Sequence, residues 1–237
     1  MGPIDKLVVV AADGSESSPD TQKSEFESKS LSWSDRREAL RRDINEHGIC
    51  RVPSGSHELP SIDHTGWYDW QFYLRAPLLQ AKHLHFIAAS FWHYNAKHFR
   101  AAPFQIAGTE QAALPIITAI VMTAPAPLHA FSIRKERKDY GKCNIIEGEP
   151  DRELPVMLID DLTSIQHNSI WHAIRVIHRV GLRLYPRAFV VVFKGERFGS
   201  PRVLRTSAGQ VAIESLFTLS DFDLSYETYH SKRTPPV

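Results

Sequence analysis

Four short apolar runs alternate with helix-like stretches between residues 100 and 195, and this alternation limits the possible folds more than any other feature. The runs PFQIAG, LHAFSIR, VMLID and AFVVVF each have the length and composition of a strand. The stretches ALPIITAIVMTA and SIWHAIRVIHRVG predict helices, the first with Pro115 in its first turn and the second capped by Gly181. This order predicts an α/β fold, with a parallel sheet and helices on both of its faces.

Two more helices are predicted on the amino-terminal side of this region. The stretch SWSDRREALRRDINEHGI has Ser34 as a candidate N-cap and Gly48 as a stop. Residues 81–99 place apolar side chains at the 3.6-residue period of an amphipathic helix. The pattern as a whole predicts one domain over residues 34–230, followed by a tail of residues 231–237.

Residues 1–33 differ in composition from the rest of the chain. Residues 13–30 are rich in Ser, Asp and Glu and nearly free of large apolar side chains, which predicts a flexible arm. Residues 7–12 are apolar enough to add one strand to a partner, so the arm is a candidate for contact with another protein.

Charge and cysteine content exclude several classes of protein. The 28 basic and 27 acidic residues predict no general attraction to nucleic acid or to a membrane surface. Two cysteines make no disulfide framework, and no apolar stretch approaches the ~20 residues that span a bilayer. The first residues lack the cationic flank and long apolar core of a signal peptide. A cytoplasmic protein that does not enter a membrane is therefore predicted.

Polar residues follow three of the predicted strands, and open α/β sheets bind ligands at the carboxyl ends of their strands. The three places are the turn after Ile106, the stretch after Ile133 and the turn after Ile159. Their coincidence predicts a ligand site.

The turn after Ile159 has the chemistry of a ribose-phosphate site. Asp160 and Asp161 can accept hydrogen bonds from vicinal hydroxyls, or support a magnesium ion already held by a diphosphate. The turn continues with the polar residues Thr163, Ser164, His167, Asn168 and Ser169. They precede a helix N-terminus, where free N–H groups and the helix dipole favour a phosphate. The alternatives are that an aspartate only caps the next segment and that His167 is simply exposed.

The stretch after Ile133 carries dense positive charge. Five cations fall within nine positions: Arg134, Lys135, Arg137, Lys138 and Lys142. A departing diphosphate needs such charge, because electrostatic stabilisation is the main help that a protein gives to this reaction. A solvated loop and a contact with nucleic acid remain as alternatives.

The aromatic residues and the histidines indicate less about the function. Trp67, Trp70, Phe72 and Tyr73 form a dense group, for which packing in the core or at a dimer interface and stacking on a base are both open. The twelve histidines include no pair one helical turn apart, so no structural zinc is predicted.

The order of these motifs resembles that of orotate phosphoribosyltransferases, a branch of the type I phosphoribosyltransferase family. RKERKDYG and IIEG, followed by VMLIDDLTS, resemble the family's mobile loop and ribose-phosphate motif. GWYDWQFYLRAPLL resembles the segment before the first long helix, IAGTEQAALPIITAI the diphosphate loop and helix, and VAIESLFTLSDF the closing segment. The resemblance covers roughly residues 34–222 and implies the parallel-sheet phosphoribosyltransferase fold.

The resemblance also implies a role for each matching residue. Arg134, Lys135 and Lys138 would contact the diphosphate of phosphoribosyl pyrophosphate (PRPP), some of them across the interface of a homodimer. Asp160 and Asp161 would hold the ribose hydroxyls and support Mg²⁺ indirectly, through PRPP. The other implied contacts are Ser164 through Ser169 for the 5-phosphate, and Phe72 and Tyr73 for the base.

Several positions depart from the family's pattern. Tyr140 replaces the loop histidine, and EQAA, beginning at Glu110, replaces a Gly-rich loop. Gln166 stands where a glycine is expected, so Gln166, His167 and Asn168 would have to rebuild the phosphate cradle with side chains. Lys194 replaces an arginine that would hold a base carboxylate in two hydrogen bonds, which argues against orotate itself.

The sequence therefore predicts a PRPP-dependent phosphoribosyltransferase of the orotate type, which transfers phosphoribose between pyrophosphate and a nitrogen base. Lys135, Lys138, Asp160 and Asp161 are its predicted catalytic residues. The altered motifs and the arm support an alternative from another class. It is a catalytically degenerate regulatory, scaffolding or defence-associated subunit that binds a nucleotide, a protein or a nucleic acid.

Overall fold

The computed structural model describes residues 31–52, 59–60, 66–68, 70–136, 145–164, 169–195, 202–206, 209–224 and 230–231. The helices in these residues are α1 (Trp33–His47), α2 (Arg75–Leu78), α3 (Ala81–Ala101), α4 (Leu114–Met122), α5 (Ser169–Arg179) and a 3-10 helix (Leu219–Phe222). The strands are β1 (Ile49–Arg51), β2 (Leu59–Pro60), β3 (Gly66–Tyr68), β4 (Trp70–Phe72), β5 (Gln105–Thr109), β6 (Ala130–Ile133), β7 (Ile146–Glu147), β8 (Val156–Thr163), β9 (Leu184–Phe193), β10 (Val203–Thr206), β11 (Gly209–Thr218) and β12 (His230–Ser231).

A seven-stranded sheet dominates the fold, in the order β10–β11–β9–β8–β5–β6–β7. Strands β11, β9, β8, β5 and β6 run parallel to their neighbours, while β10 and β7 pair antiparallel at the two edges. The carboxyl ends of the five parallel strands therefore share one edge of the sheet. The predicted α/β fold with a mostly parallel sheet is confirmed, and the two antiparallel edge strands add to it.

Helices cover both faces of this sheet, as predicted. One face packs against α1, α3 and α4, where Phe91 of α3 meets Phe104 and Phe189 at ring-centroid distances of 6.3 Å and 5.4 Å. The other face packs against α5, whose Ile170 and Ile177 are fully buried. Two separate apolar clusters result, because successive side chains of a strand point to opposite faces.

The caps of α1 agree with the prediction at one end and differ at the other. Gly48 ends the helix, and its N–H donates to Ile44 O over 2.8 Å. At the start the cap is Ser32, not Ser34. Ser32 Oγ accepts from the backbone N–H of Asp35 (3.1 Å), and the Asp35 carboxylate accepts from the Ser32 backbone (3.1 Å). This reciprocal pair satisfies N–H groups that the first helical turn leaves free, and Ser34 lies inside the helix.

Two stretches of the sheet differ from the sequence prediction. VMLID was predicted to end at Asp160, but β8 continues to Thr163 because Leu162 and Thr163 pair with Val192 and Phe193 of β9. The charged stretch 135–153 also contains β7, which pairs with β6 and was not predicted. Pairing with a neighbouring strand decides both cases, and local composition does not report it.

The chain divides into two compact units, residues 1–36 and 37–237. The first unit is described from residue 31, where it holds the start of α1. Residues 1–30 of the predicted arm, its partner contact and most of the tail of residues 231–237 fall outside the described residues and stay predictions. Among the helices that the structure describes, none is long and apolar enough to cross a membrane.

A buried histidine and an aspartate join α1 to α3. His83 is 2% exposed, and its Nε2 lies 2.6 Å from Asp43 Oδ2. Lys82, which is exposed, places its Nζ 3.1 Å from the same oxygen. The hydrogen bond with His83 holds the pKa of Asp43 below its usual value, with partial burial opposing the shift and Lys82 adding to it.

Asp43→Ala is expected to lower the free energy of unfolding by about 1–3 kcal/mol at pH 7, because it leaves the buried His83 without its partner. The depressed pKa means that the stabilisation is complete above the unfolded pKa of about 3.9 and is lost as the pH falls through the folded-state value. Urea unfolding across this pH range measures the effect. Lys82→Ala is the control, with a loss of at most about 1 kcal/mol. Equal losses for the two variants at pH 7 would contradict the prediction.

Candidate functional site

The carboxyl edge of the parallel strands gathers most of the predicted site residues that the structure describes. Glu110 follows β5, Arg134 follows β6, Lys194 follows β9, and Asp160 and Asp161 lie near the end of β8. Backbone hydrogen bonds of 2.9 Å and 2.8 Å join the turn after β5 to β6 and the turn after β9 to β8. Residues that are far apart in sequence thus meet at one edge, as the strand pattern predicts.

Asp160 lies inside the protein, with 2% of its surface exposed. Its Oδ1 accepts hydrogen bonds from Thr109 Oγ1 (3.0 Å) and from the backbone N–H of Asp161 (3.0 Å), while its Oδ2 is bonded to the Ser169 hydroxyl. Burial, and then the negative charge of Asp161, raise the pKa of Asp160 to about 8. Asp160 therefore keeps its proton to a higher pH than an ordinary carboxyl group, and both of its oxygens are engaged within the protein.

Asp161 has a different environment from its neighbour. Strand alternation places it on the opposite face of β8, where it is only partly buried. Burial raises the pKa of Asp161, while hydrogen bonds and the positive charge of Arg75 act in the opposite direction. Arg75 is the first residue of α2 and is exposed, so this face of the acidic pair has a cation within electrostatic reach. Of the two aspartates, Asp161 is the more accessible.

Arg134 is held between two carboxylates. Its Nη1 lies 2.7 Å from Glu110 Oε1 and 3.0 Å from Glu147 Oε1. Its carbonyl oxygen accepts a hydrogen bond from His172 Nε2 of α5 over 2.8 Å. All three charged side chains are partly shielded from solvent, so their interaction is screened less than that of a fully exposed pair. Two carboxylates and one guanidinium leave this corner with a formal charge of −1.

The loop of residues 110–113 connects β5 to α4, where the resemblance places the diphosphate loop. Gly108 allows the helix to approach the strand, because a Cβ there would lie 2.8 Å from Ala113 Cβ and 3.1 Å from Ile117 Cγ2. The peptide bond between Glu110 and Gln111 is cis. Gly108 thus stands where α4 packs on β5, although the loop of residues 110–113 contains no glycine.

Phe72 and Tyr73, the positions expected to contact a base, have unlike surroundings. Phe72 is 8% exposed and packs edge-to-face on Trp70 (5.8 Å) and Phe222 (5.6 Å). Tyr73 is 54% exposed, and its hydroxyl donates to Gln71 Oε1 over 3.0 Å. Core packing therefore describes Phe72, and Tyr73 is the member of the pair that a ligand can reach.

The remaining predicted residues are divided between the ends of elements and undescribed segments. Lys135 is exposed just beyond β6, Ser164 follows β8, and Ser169 is the first residue of α5. The other predicted site residues lie outside the described residues: Lys138, Tyr140, Gln166, His167 and Asn168. Their roles stay predictions.

The donor atoms at this edge suit an ion that arrives with its own ligands better than a resident one. The structure describes no group of three or more His, Cys, Asp or Glu side chains that could hold a metal. Asp160 could become a ligand only by giving up its internal hydrogen bonds. Mg²⁺ usually keeps several waters and substrate phosphates and takes only one or two protein carboxylates. Asp161 is the partly exposed carboxylate of the acidic pair at this edge that could serve such an ion.

Four residues of this edge were not predicted from the sequence: Arg75, Thr109, Glu147 and His172. Thr109 and Glu147 contact predicted site residues, and each stands at the end of a strand. Position at a strand end was therefore a usable signal for Thr109, but not for Glu147, because β7 was not predicted. Arg75 and His172 carry no such signal, because their proximity depends on how α2 and α5 pack against the sheet.

The fold is that of the type I phosphoribosyltransferases. Orotate phosphoribosyltransferase from Mycobacterium tuberculosis H37Rv, in complex with Fe(III) dicitrate, matches 80% of this chain and 99% of its own, with a TM-score of 0.60 and 20% identity. The same enzyme in complex with 5-phospho-α-D-ribosyl 1-diphosphate (PRPP) matches 79% of this chain and 91% of its own, with a TM-score of 0.55 and 18% identity.

In sequence, the chain is similar to orotate phosphoribosyltransferases, which confirms the predicted resemblance. The relative from Methanothermobacter thermautotrophicus is 32% identical over 121 residues, which are 51% of this chain and 63% of that protein. The chain spans about half to two thirds of the length of the first curated relatives that it matches. No protein-family model matches it.

Proposed function

We propose that the chain is a PRPP-dependent phosphoribosyltransferase of the orotate type, which transfers phosphoribose between pyrophosphate and a nitrogen base. The observation that carries the proposal is the acidic pair Asp160–Asp161 at the carboxyl end of β8, directly ahead of the N-terminus of α5. The similarity to orotate phosphoribosyltransferases supports the reaction class. The neighbour in complex with PRPP supports PRPP as the donor.

The ribose 5-phosphate part of PRPP would bind between β8 and α5. Asp161 accepts hydrogen bonds from the vicinal hydroxyls, since it is the accessible carboxylate of the pair. The first turn of α5 offers free N–H groups and the positive end of the helix dipole to the phosphate. Ser164, directly after β8, adds a hydroxyl donor, and Ser169 adds its backbone N–H, because its hydroxyl already donates to Asp160 Oδ2.

The diphosphate would bind along the edge between β5 and β6. Arg134 and Lys135 supply positive charge there, and Lys138 is assigned the same role by resemblance. A bound Mg²⁺ would neutralise part of the charge that develops on the departing diphosphate. Because Nη1 of Arg134 is already engaged by Glu110 and Glu147, the diphosphate competes with these two carboxylates for the positive charge of the guanidinium.

Transfer would then need little covalent help from the protein. As the bond between ribose and diphosphate weakens, positive charge develops on the ribose and negative charge on the leaving group. Asp161 stabilises the first, and Arg134 with Lys135 stabilises the second. Tyr73 is exposed near the end of β4 and is the candidate for contact with the base, and Lys194 after β9 is a candidate for polar contact. A homodimer with shared loops is part of the same proposal.

Release of pyrophosphate from PRPP tests the reaction directly. The full chain is incubated with PRPP, Mg²⁺ and each of a panel of purine and pyrimidine bases, with orotate included. We expect at least one base to give turnover that Asp161→Asn removes. If the folded protein bound PRPP but none of the bases gave turnover, the enzymatic proposal would be contradicted.

One observation favours the alternative of a binding subunit without fast turnover. The corner that should receive the diphosphate has a formal charge of −1 in the absence of ligand, counting Glu110, Arg134 and Glu147. Such a corner resists a polyanion and would slow a reaction that depends on its capture. Binding of a nucleotide or PRPP without pyrophosphate release would support this alternative.

A further inference from the structure

Asp160 is the buried centre of a hydrogen-bond network that joins three elements. Thr109 is the last residue of β5, Asp160 lies near the end of β8, and Ser169 is the first residue of α5. Thr109 and Asp160 are 5% and 2% exposed. The two contacts of Asp160 therefore connect two turns that a ligand at this edge would use: residues 110–113 on one side and the N-terminus of α5 on the other.

The contacts of Asp160 engage both of its carboxyl oxygens, and the residue is buried. Oδ1 already accepts two hydrogen bonds, from Thr109 Oγ1 and from the N–H of Asp161, each of 3.0 Å. Oδ2 is bonded to the Ser169 hydroxyl. A ribose hydroxyl could reach Asp160 only after one of these bonds opened, and an unpaired buried polar group is costly. Asp161 is also hydrogen-bonded within the protein, to the Asp160 side chain and to the Leu162 N–H, but it is partly exposed, so it is the carboxylate of the pair that a ligand can reach.

We propose that Asp160 is a positioning residue rather than a ligand of the ribose, an inference that rests on the proposed function. Asp160 joins the turn after β5 to the start of α5 by hydrogen bonds, while Asp161 alone contacts the vicinal hydroxyls. The acidic pair is thus divided into one residue that binds and one that holds the binding turns in place. This division differs from the shared role that the resemblance implies for both aspartates.

The chemistry of the network predicts which substitutions it tolerates. In Asp160→Asn, the amide oxygen keeps the role of Oδ1 toward Thr109 and Asp161, and the amide nitrogen can donate to Ser169 Oγ. All three contacts can therefore persist without a carboxylate. Asp160→Ala removes all of them, and Thr109→Val removes only the contact to β5.

Hydrogen exchange of the full chain, without ligand, tests the positioning role separately from the proposed function. Asp160→Ala is expected to speed amide exchange at least tenfold both in residues 110–113 and in the first turn of α5. Thr109→Val should do so only in residues 110–113, and Asp160→Asn in neither. The idea is overturned if Asp160→Ala leaves both segments unchanged, or if Asp160→Asn disturbs both as strongly as Asp160→Ala.

PRPP titrations then test the division of roles. Asp160→Asn should weaken PRPP binding less than about threefold, whereas Asp161→Asn should weaken it about a hundredfold. Equal losses in these two variants would overturn the proposal and leave the proposed function intact. If the folded wild type bound no PRPP, the proposed function and the ribose role of Asp161 would fail, and the exchange results would still decide whether Asp160 positions the two turns.

Discussion

Asp161→Asn is expected to weaken PRPP binding about a hundredfold or more and to remove turnover. A hydrogen bond to a charged group contributes about 1.5–3 kcal/mol, and in the proposed complex this carboxylate would accept hydrogen bonds from two ribose hydroxyls. Loss of the charge from two such bonds corresponds to at least about two powers of ten in the dissociation constant. The carboxamide keeps the size of the side chain, so the strand itself should remain folded. Isothermal titration of PRPP in the presence of Mg²⁺ measures the change.

A matched control for this variant is Glu153→Gln. Glu153 is exposed and precedes β8, at the opposite end of the strand from Asp161. The substitution is also carboxylate to carboxamide, so it controls for the loss of one negative charge. Its PRPP affinity should equal that of the wild type. If Asp161→Asn bound PRPP as tightly as this control, Asp161 would not be a contact of the ribose.

Arg134→Gln is expected to weaken the binding of inorganic pyrophosphate by about a hundredfold, the second large effect. The substitution removes the guanidinium and also leaves Glu110 and Glu147 without the cation that they share. A corner with a formal charge of −1 then carries −2, and the anion meets two carboxylates with no guanidinium between them. The loss should be larger at low salt, because screening weakens repulsion between partly exposed charges. Calorimetry at two ionic strengths measures both effects.

Glu110→Gln should act in the opposite direction and tighten pyrophosphate binding about tenfold. It frees Arg134 from its 2.7 Å partner, and the formal charge of the corner rises from −1 to 0. A gain of affinity cannot come from general damage to the fold, which makes this variant the sharper half of the pair. Glu153→Gln, at the exposed glutamate ahead of β8, makes the same change of net charge and is the control. Weaker binding in Glu110→Gln would contradict the competition between Glu110 and the diphosphate.

The pattern of strands and helices was sufficient to predict the fold, because the periods of the two structures differ and both recur in order. Asp160, Asp161, Glu110 and Arg134 could also be placed at one edge, since the carboxyl ends of parallel strands meet there. The cap of a helix was harder to predict where two serines near its start could both serve. Ser32 rather than Ser34 caps α1, because Ser32 is the serine that forms a reciprocal pair with Asp35.

The sequence could not predict which side chains of the site form hydrogen bonds and ion pairs with one another. Thr109 and Asp160 are 51 positions apart, and His172 and Arg134 are 38 apart. Contacts over such separations depend on the packing of α5 and on the register of the sheet. Burial of Phe72 is a similar case, because the position of an aromatic residue in the chain does not tell whether a neighbouring strand covers it.

Calorimetric titration of the full chain with PRPP and Mg²⁺ tests the central claim most directly. We expect one saturable site per chain, with an affinity that Glu153→Gln keeps and Asp161→Asn loses. A folded wild-type protein that gives no saturable binding, or one whose binding is unaffected by Asp161→Asn, would contradict a PRPP site at the end of β8.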